Sequence, residues 1–144
     1  ASDTPVDFRF IELMPVGEYG EKNKNRIVFN SDIIAAHPEL IPCKNQVNGQ
    51  PARYFKKEGM KGRIGFISPM SHKFCSSCNR IRLTCDGKLK PCLGNNHELD
   101  ITQALNSSKE DLEAVIKKAI FEKPAGHCFE TGFTSDRKMS GIGG

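Results

Sequence analysis

The chain has 144 residues, of which 38% are hydrophobic and 26% charged, with a formal net charge of +4. That length suffices for one domain with a real core, and the mild positive balance suits an anionic ligand. No apolar run reaches transmembrane length and no signal-peptide pattern is present, so the expected setting is cytoplasmic, without a membrane partner.

From the N-terminus, Ala1-Ser2 lacks an initiator methionine and reads as a cut point in a longer protein. Val6 to Met14 alternates before Pro15 and Gly17, as a strand entering a loop does. Phe8, Phe10 and Met14 take one face, and Arg9, Ile11 and Leu13 the other. Both faces carry apolar residues, which predicts a strand buried on both sides, as in a parallel sheet or barrel. Without such partners it would expose apolar surface, so the chain is expected to dimerise, swap or leave this segment disordered. Glu18 to Arg26 reads as polar loop. Ser31-Asp32 caps a short helix ended by Pro38, and Asn45 to Gln50 is turn-like. Ala52–Phe55 and Arg63–Ser68 read as strands around a Gly59–Gly62 turn. With the hairpin described next, they predict one small antiparallel sheet. Asp100–Gln103 starts a short helix. Ser107 and Glu110 form a capping box for a longer one with an apolar stripe at Leu112, Val115, Ile116, Ala119 and Ile120. Pro124 and Gly126 end it.

The chemistry concentrates between Phe74 and Cys92, which hold four of the six cysteines. Cys75-x-x-Cys78 places two thiols on one tight loop, and Cys92 follows Cys78 after 13 residues. Asp86-Gly87 is a hairpin signal. A three-residue loop opposes Thr84 to Lys88, Leu83 to Leu89 and Arg80 to Cys92. Arg80, Arg82 and Cys92 then share one face, and Ile81, Leu83, Cys85, Leu89 and Pro91 the other. A one-residue slip mixes polar and apolar side chains, which is what selects the register. Cys75, Cys78 and Cys92 are therefore expected around one site, with Arg80 and Arg82 beside it. Cys85, at the turn, lies roughly 13 Å along the strand from the level of Cys92 and is not a ligand. It is expected packed on the apolar face. A closed zinc site needs a fourth ligand, such as His72 or His97. A [4Fe-4S] cluster can rest on three thiolates with one iron open. The residues alone leave both open, along with three unmetallated cysteines. Cys43 and Cys128 read as buried small hydrophobes, and His127 as a local loop contact.

Several stretches together resemble the molybdenum cofactor biosynthesis protein A family, the GTP 3′,8-cyclases of the radical S-adenosylmethionine class. They are Arg9-Phe10-Ile11-Glu12-Leu13-Met14-Pro15-Val16-Gly17, Gly65-Phe66-Ile67-Ser68-Pro69-Met70, the run from Cys75 to Thr84, Asp86 to Leu93, and the terminal Gly143-Gly144. The resemblance covers only the C-terminal part of the family. The N-terminal C-x-x-x-C-x-x-C run that binds the S-adenosylmethionine-cleaving [4Fe-4S] cluster is absent.

The resemblance implies an α+β chain, the C-terminal fragment of an incomplete TIM-type barrel. Residues 1–20 would be the last barrel strand and its loop, and 21–144 an iron-sulfur and GTP-binding region. It implies that Cys75, Cys78 and Cys92 hold the second [4Fe-4S] cluster, whose open iron binds the guanine of GTP. Arg80, Arg82 and Arg9 would contact GTP, as suits guanidinium forks. Met14 would contact S-adenosylmethionine. Gly143 and Gly144 match a tail that enters the active site, where bare backbone can approach a ligand. The full-length enzyme, a homodimer, would act through a 5′-deoxyadenosyl radical, hydrogen abstraction from the GTP ribose and attack on guanine C8. The product would be (8S)-3′,8-cyclo-7,8-dihydroguanosine 5′-triphosphate. The fragment would bind GTP but be inactive by itself.

Two other classes fit the composition less well. A zinc-stabilised nucleic-acid-binding module lacks aromatic platforms among its basic residues. A secreted disulfide protein fits the C-x-x-C pattern less well than an intracellular metal site.

Overall fold

The computed structural model describes residues 1–44 and 49–142. They form an α+β chain folded as two compact units. The first comprises Ala1–Met14 with Asn23–Cys78, and the second Pro15–Lys22 with the chain from Asn79 onward.

The first unit is built on a four-stranded sheet. Its strands are β1 (Phe8–Ile11), β2 (Ile41–Pro42), β3 (Ala52–Lys56) and β4 (Ile64–Ile67), in the order β1-β4-β3-β2. β1 runs parallel to β4, with Phe10 opposite Phe66, while β3 is antiparallel to both its neighbours. Phe66 is buried, stacks on Phe10 with ring centroids 5.8 Å apart, and meets Phe55 edge-on at 5.5 Å.

The expectation of a two-sided buried β1 is corrected. Phe8 is 49% exposed, Phe10 48% and Ile11 61%. The reason is position: β1 is an edge strand, paired only with β4. It is nevertheless a regular strand, paired with β4 from Phe8 to Ile11. A further correction concerns the sheet. The Ala52 and Arg63 strands do not join the central hairpin in one antiparallel sheet but lie in a separate, mixed one.

The face of β1 opposite Phe10 carries a row across three strands, Arg9 on β1, Gly65 on β4 and Tyr54 on β3. Arg9 Nε donates to the Tyr54 hydroxyl at 2.7 Å. The Arg63 guanidinium lies 4.2 Å from the Tyr54 ring centre, itself paired with Asp7. Gly65 makes this row possible, since a Cβ there would lie 3.0 Å from Tyr54 Cε1 and 3.2 Å from Arg9 Cγ. Tyr54 is 4% exposed and cannot swing clear. Gly65→Ala should therefore cost about 1–3 kcal/mol of overpacking, read as a lower urea midpoint at unchanged slope. An unchanged midpoint would show that Arg9 simply moves aside.

Helix α2 (Asn30–Ala36) matches the expected short helix, but Ser31 and Asp32 do not cap it. Glu12, just past β1, does so instead by accepting from Asn30 N at 2.8 Å.

The second unit carries a three-stranded antiparallel sheet of β5 (Arg82–Leu83), β6 (Lys88–Lys90) and β7 (Leu99–Asp100), with β6 central. Short α3 (Thr102–Leu105) is followed by α4 (Lys109–Phe121). Asp100 holds the start of α3, accepting from Thr102 N at 2.8 Å. The capping box of α4 is Ser108 with Asp111, one residue later than expected. The stripe otherwise holds. Leu112, Val115 and Ile116 pack on a core of Leu89, Leu99, Ile101 and Ala119, although Ile120 is exposed. Glu18–Arg26 is not all loop: Gly17–Lys22 is helix α1, and Lys24–Arg26 a 3₁₀ turn in the first unit. Among the described residues no helix is long and apolar enough to cross a membrane.

Candidate functional site

In the first unit the C-x-x-C segment is one turn of 3₁₀ helix, Cys75–Ser77. Cys78 N donates to Cys75 O at 3.1 Å and Ser77 N to Phe74 O at 3.2 Å. This turn leaves both thiols half-buried and outside any disulfide.

The polypeptide leading to that turn is fixed by a node that sequence reasoning missed. Glu12 is 2% exposed. Its carboxylate accepts from Asn30 N at 2.8 Å, Met70 N at 2.8 Å, Ser71 N at 2.9 Å and the Ser71 hydroxyl. Asn30 in turn donates its side-chain amide to Ile67 O and Ser68 Oγ at 2.9 and 3.0 Å. Burial pushes the Glu12 carboxyl up, but the hydrogen bonds from Ser71, Asn30 and Met70 outweigh it and hold the group below the ordinary carboxylate range. A signal existed in the sequence: an acidic residue inside an otherwise apolar strand end requires buried partners. Met14, two residues on, is half-buried. Arg9 is exposed and anchored by Tyr54.

In the second unit the hairpin has the expected register. Leu83 opposes Leu89 and Arg82 opposes Lys90. Thr84 N donates to Lys88 O at 2.8 Å and Gly87 N to Thr84 O at 3.1 Å, with Gly87 at φ +77. A three-residue loop needs that left-handed position, and glycine takes it without a Cβ penalty. The facing of side chains is only partly as expected. Leu89 and Pro91 are buried, but Leu83 is 57% exposed and Ile81 36%, because β5 is a two-residue edge strand. Cys85 is exposed rather than packed, and Cys43 and Cys128 are half-buried rather than buried.

Charged side chains tie the hairpin to the chain that follows. Arg137 donates from Nε to both Glu98 oxygens at 2.8 and 2.9 Å, and from Nη2 to Asp86 at 2.7 Å. Arg137, then the Thr84 hydroxyl, hold the Asp86 carboxyl far below its usual range. Lys90, 1% exposed, spends its ammonium on Asn95 O at 2.6 Å and Glu98 at 3.5 Å. Lys123 Nζ donates to Pro91 O at 2.6 Å and Arg80 O at 2.7 Å. Arg82 is half-buried, with Nη1 3.5 Å from Ile142 O. Arg80 is exposed, and Cys92, directly after buried Pro91, is half-buried and outside any disulfide.

The sequence-predicted set thus divides between the units. Cys75 and Cys78 belong to the first, with Arg9 and Met14, while Arg80, Arg82 and Cys92 belong to the second. Among the described residues no group of three or more histidine, cysteine or acidic side chains is arranged to hold a metal ion. His72 is exposed, and His97 Nε2 lies 3.0 Å from Glu122. His127 stacks on Phe129 at 4.5 Å, a local contact as expected. Gly143 and Gly144 lie outside the described residues, as do Asn45–Asn48 of the expected turn.

Residues 6–129 match the family model described as Molybdenum Cofactor Synthesis C. A protein of Alkaliphilus oremlandii named GTP 3′,8-cyclase is 45% identical over 144 residues, covering 99% of this chain and 45% of the relative. One of Marinobacter nauticus with the same name is 43% identical over 138 residues, covering 91% and 42%. One of Moorella thermoacetica, again so named, is 40% identical over 149 residues, covering 100% and 46%. The chain spans about half the length of the curated relatives it matches.

Proposed function

The chain belongs to the Molybdenum Cofactor Synthesis C family, and from that premise we propose that it is the substrate-binding region of a GTP 3′,8-cyclase. Cys75, Cys78 and Cys92 would ligate the second [4Fe-4S] cluster, and Arg80 and Arg82, with Arg9, would bind GTP. The observation that carries the reading is the hairpin. Its three-residue loop and Leu83↔Leu89 register are those under which Arg82 and Cys92 share a face.

The donor chemistry suits the group. Cysteine thiolates are the ordinary ligands of iron-sulfur clusters, and none of these three is tied up in a disulfide or fully buried. When bound, such a cluster supplies an iron with an open position for a guanine heteroatom. The chain's own residues do the rest. Guanidinium groups offer paired donors to phosphate and purine oxygens. The Tyr54 hydroxyl restrains Arg9 at Nε, and the hairpin loop is fixed through Asp86 and Arg137. In the same reading β1 is the last strand of an incomplete barrel. Its parallel pairing and exposed apolar side chains support that. Met14, at the loop end of this strand, would touch S-adenosylmethionine. The Gly143-Gly144 tail would reach the active site, and the whole reaction would need the longer protein.

The test is GTP binding by the cluster-loaded chain, followed in the visible and electron paramagnetic resonance spectra. GTP should perturb the cluster signal, and CTP, with the same triphosphate, should not. Arg82→Ala should weaken GTP binding by about tenfold or more, the worth of a hydrogen bond to a charged group. A signal indifferent to GTP, or equally sensitive to CTP, would sink the reading.

A further inference from the structure

The β5–β6 ladder ends at Arg82↔Lys90. Beyond this rung no further β5–β6 pair forms among the described residues, and Arg80 and Cys92 lie outside both strands. The alternation of an antiparallel ladder explains why one carbonyl needs an outside partner. Thr84 pairs with Lys88 through a hydrogen bond, so Arg82 and Lys90 form the next bonded pair. Pro91 therefore turns its backbone away from β5. On that side β7 has already stopped at Leu99, and Pro91 has no N–H to continue a ladder.

Lys123 meets both segments. It stands just past α4, its own N–H bonded to Ile120 O at 3.3 Å, so the root of the side chain is fixed to the helix end. Its ammonium reaches Pro91 O at 2.6 Å and Arg80 O at 2.7 Å. An ordinary surface lysine keeps its head in water or opposite a carboxylate. Here two of its three donors are spent on main-chain carbonyls 11 residues apart in sequence. These are charge-assisted bonds, stronger than the neutral rung they replace.

We propose that Lys123 is a positioning residue that closes the open end of the hairpin, fixing Arg80 and Cys92 through the carbonyls of Arg80 and Pro91. The role given to Arg80 and Cys92 rests on the function proposed above, but the closure does not. No contact of Lys123 with substrate or cluster is part of the proposal. It acts through the backbone at Arg80 and at the residue before Cys92.

The test uses Lys123→Met, which keeps the apolar stem, and Lys123→Arg, which keeps two donors. In the metal-free chain, the carbonyl ¹³C resonances of Arg80 and Pro91 should both move in Lys123→Met and stay near wild type in Lys123→Arg. In the iron-sulfide-reconstituted chain, resistance of the cluster to a chelator should fall about tenfold in Lys123→Met, as for other outer-shell partners, and recover in Lys123→Arg. Unmoved carbonyl resonances in Lys123→Met overturn the proposal. So does a cluster that holds as in wild type although both resonances moved. If Lys123→Met does not fold, Lys123→Arg decides: carbonyl resonances retained but cluster lost overturns it. A wild-type chain that takes up no cluster defeats the proposed function, while the carbonyl resonances still decide the closure.

Discussion

On the proposed function, Cys92→Ser, reconstituted anaerobically with iron and sulfide, should carry no cluster, where the unaltered chain should carry about four irons and four sulfides. The size of the effect follows from the ligand count. Three thiolates already leave one iron without a protein ligand. A serine hydroxyl is neither soft nor ionised near neutral pH, so its substitution leaves two. Cys85→Ser is the internal control. Cys85 is exposed in the hairpin loop, with its N–H 3.4 Å from Gly141 O. Its loss should leave iron, sulfide and the visible band unchanged. Metal analysis decides between the chemistries. One tightly held zinc without sulfide in the unaltered chain would favour a structural module, with a fourth ligand such as His72 or His97. A Cys92→Ser chain that kept its cluster would remove Cys92 from the ligand set.

Glu12→Ala will be the most destabilising single change in the first unit, by about 3–5 kcal/mol. Removing the carboxylate strands the Asn30, Met70 and Ser71 N–H groups, which are 2.8–2.9 Å from it now. Each buried donor left unpaired costs about 1–3 kcal/mol, less than additively because they share one acceptor. Glu12→Gln keeps one acceptor oxygen but turns an amide toward a remaining donor, so it should fall between. The pH dependence has a definite sign. The folded carboxyl titrates below its ordinary value of 4.5. Its contribution is therefore complete above pH 4.5 and is lost as pH falls through the lower folded value. Urea midpoints measured down this range should drop for the unaltered chain and flatten for Glu12→Gln. Equal acid limbs would show that Glu12 is not the group responsible.

Local patterns were legible in the sequence, and long-range ones were not. The hairpin register followed from Asp86-Gly87 and the sorting of polar from apolar residues on either side. The long helix followed from its stripe, with the cap displaced by one because Ser107 and Ser108 both precede acidic residues. β2 and β7 are two residues each, too short to carry a period. Helix α1 is Gly-Glu-Tyr-Gly-Glu-Lys, whose two glycines and polar composition read as loop. The split into two sheets depends on β1 pairing with β4, a partner more than 50 residues away. Glu12 looked like an anomaly within a strand because its partners lie 18 to 59 residues further on. Of the candidate site, residue types and spacing were readable. The carbonyl contacts of Lys123 were not, since nothing in Lys-Pro-Ala-Gly indicates where an ammonium will land.

The hairpin loop has a consequence for how this segment can vary. Three residues with Gly87 left-handed fix the parity of every position on either side. Exchanges at Cys85, whose side chain is exposed, leave that parity alone. An insertion or deletion of a single residue there inverts it, carrying Arg82 to the far side of the sheet while Leu83 takes its place. Descendants of this sequence can therefore drift in letters across the loop but not in length. A library of loop variants should show survivors spread freely over composition and confined to one count.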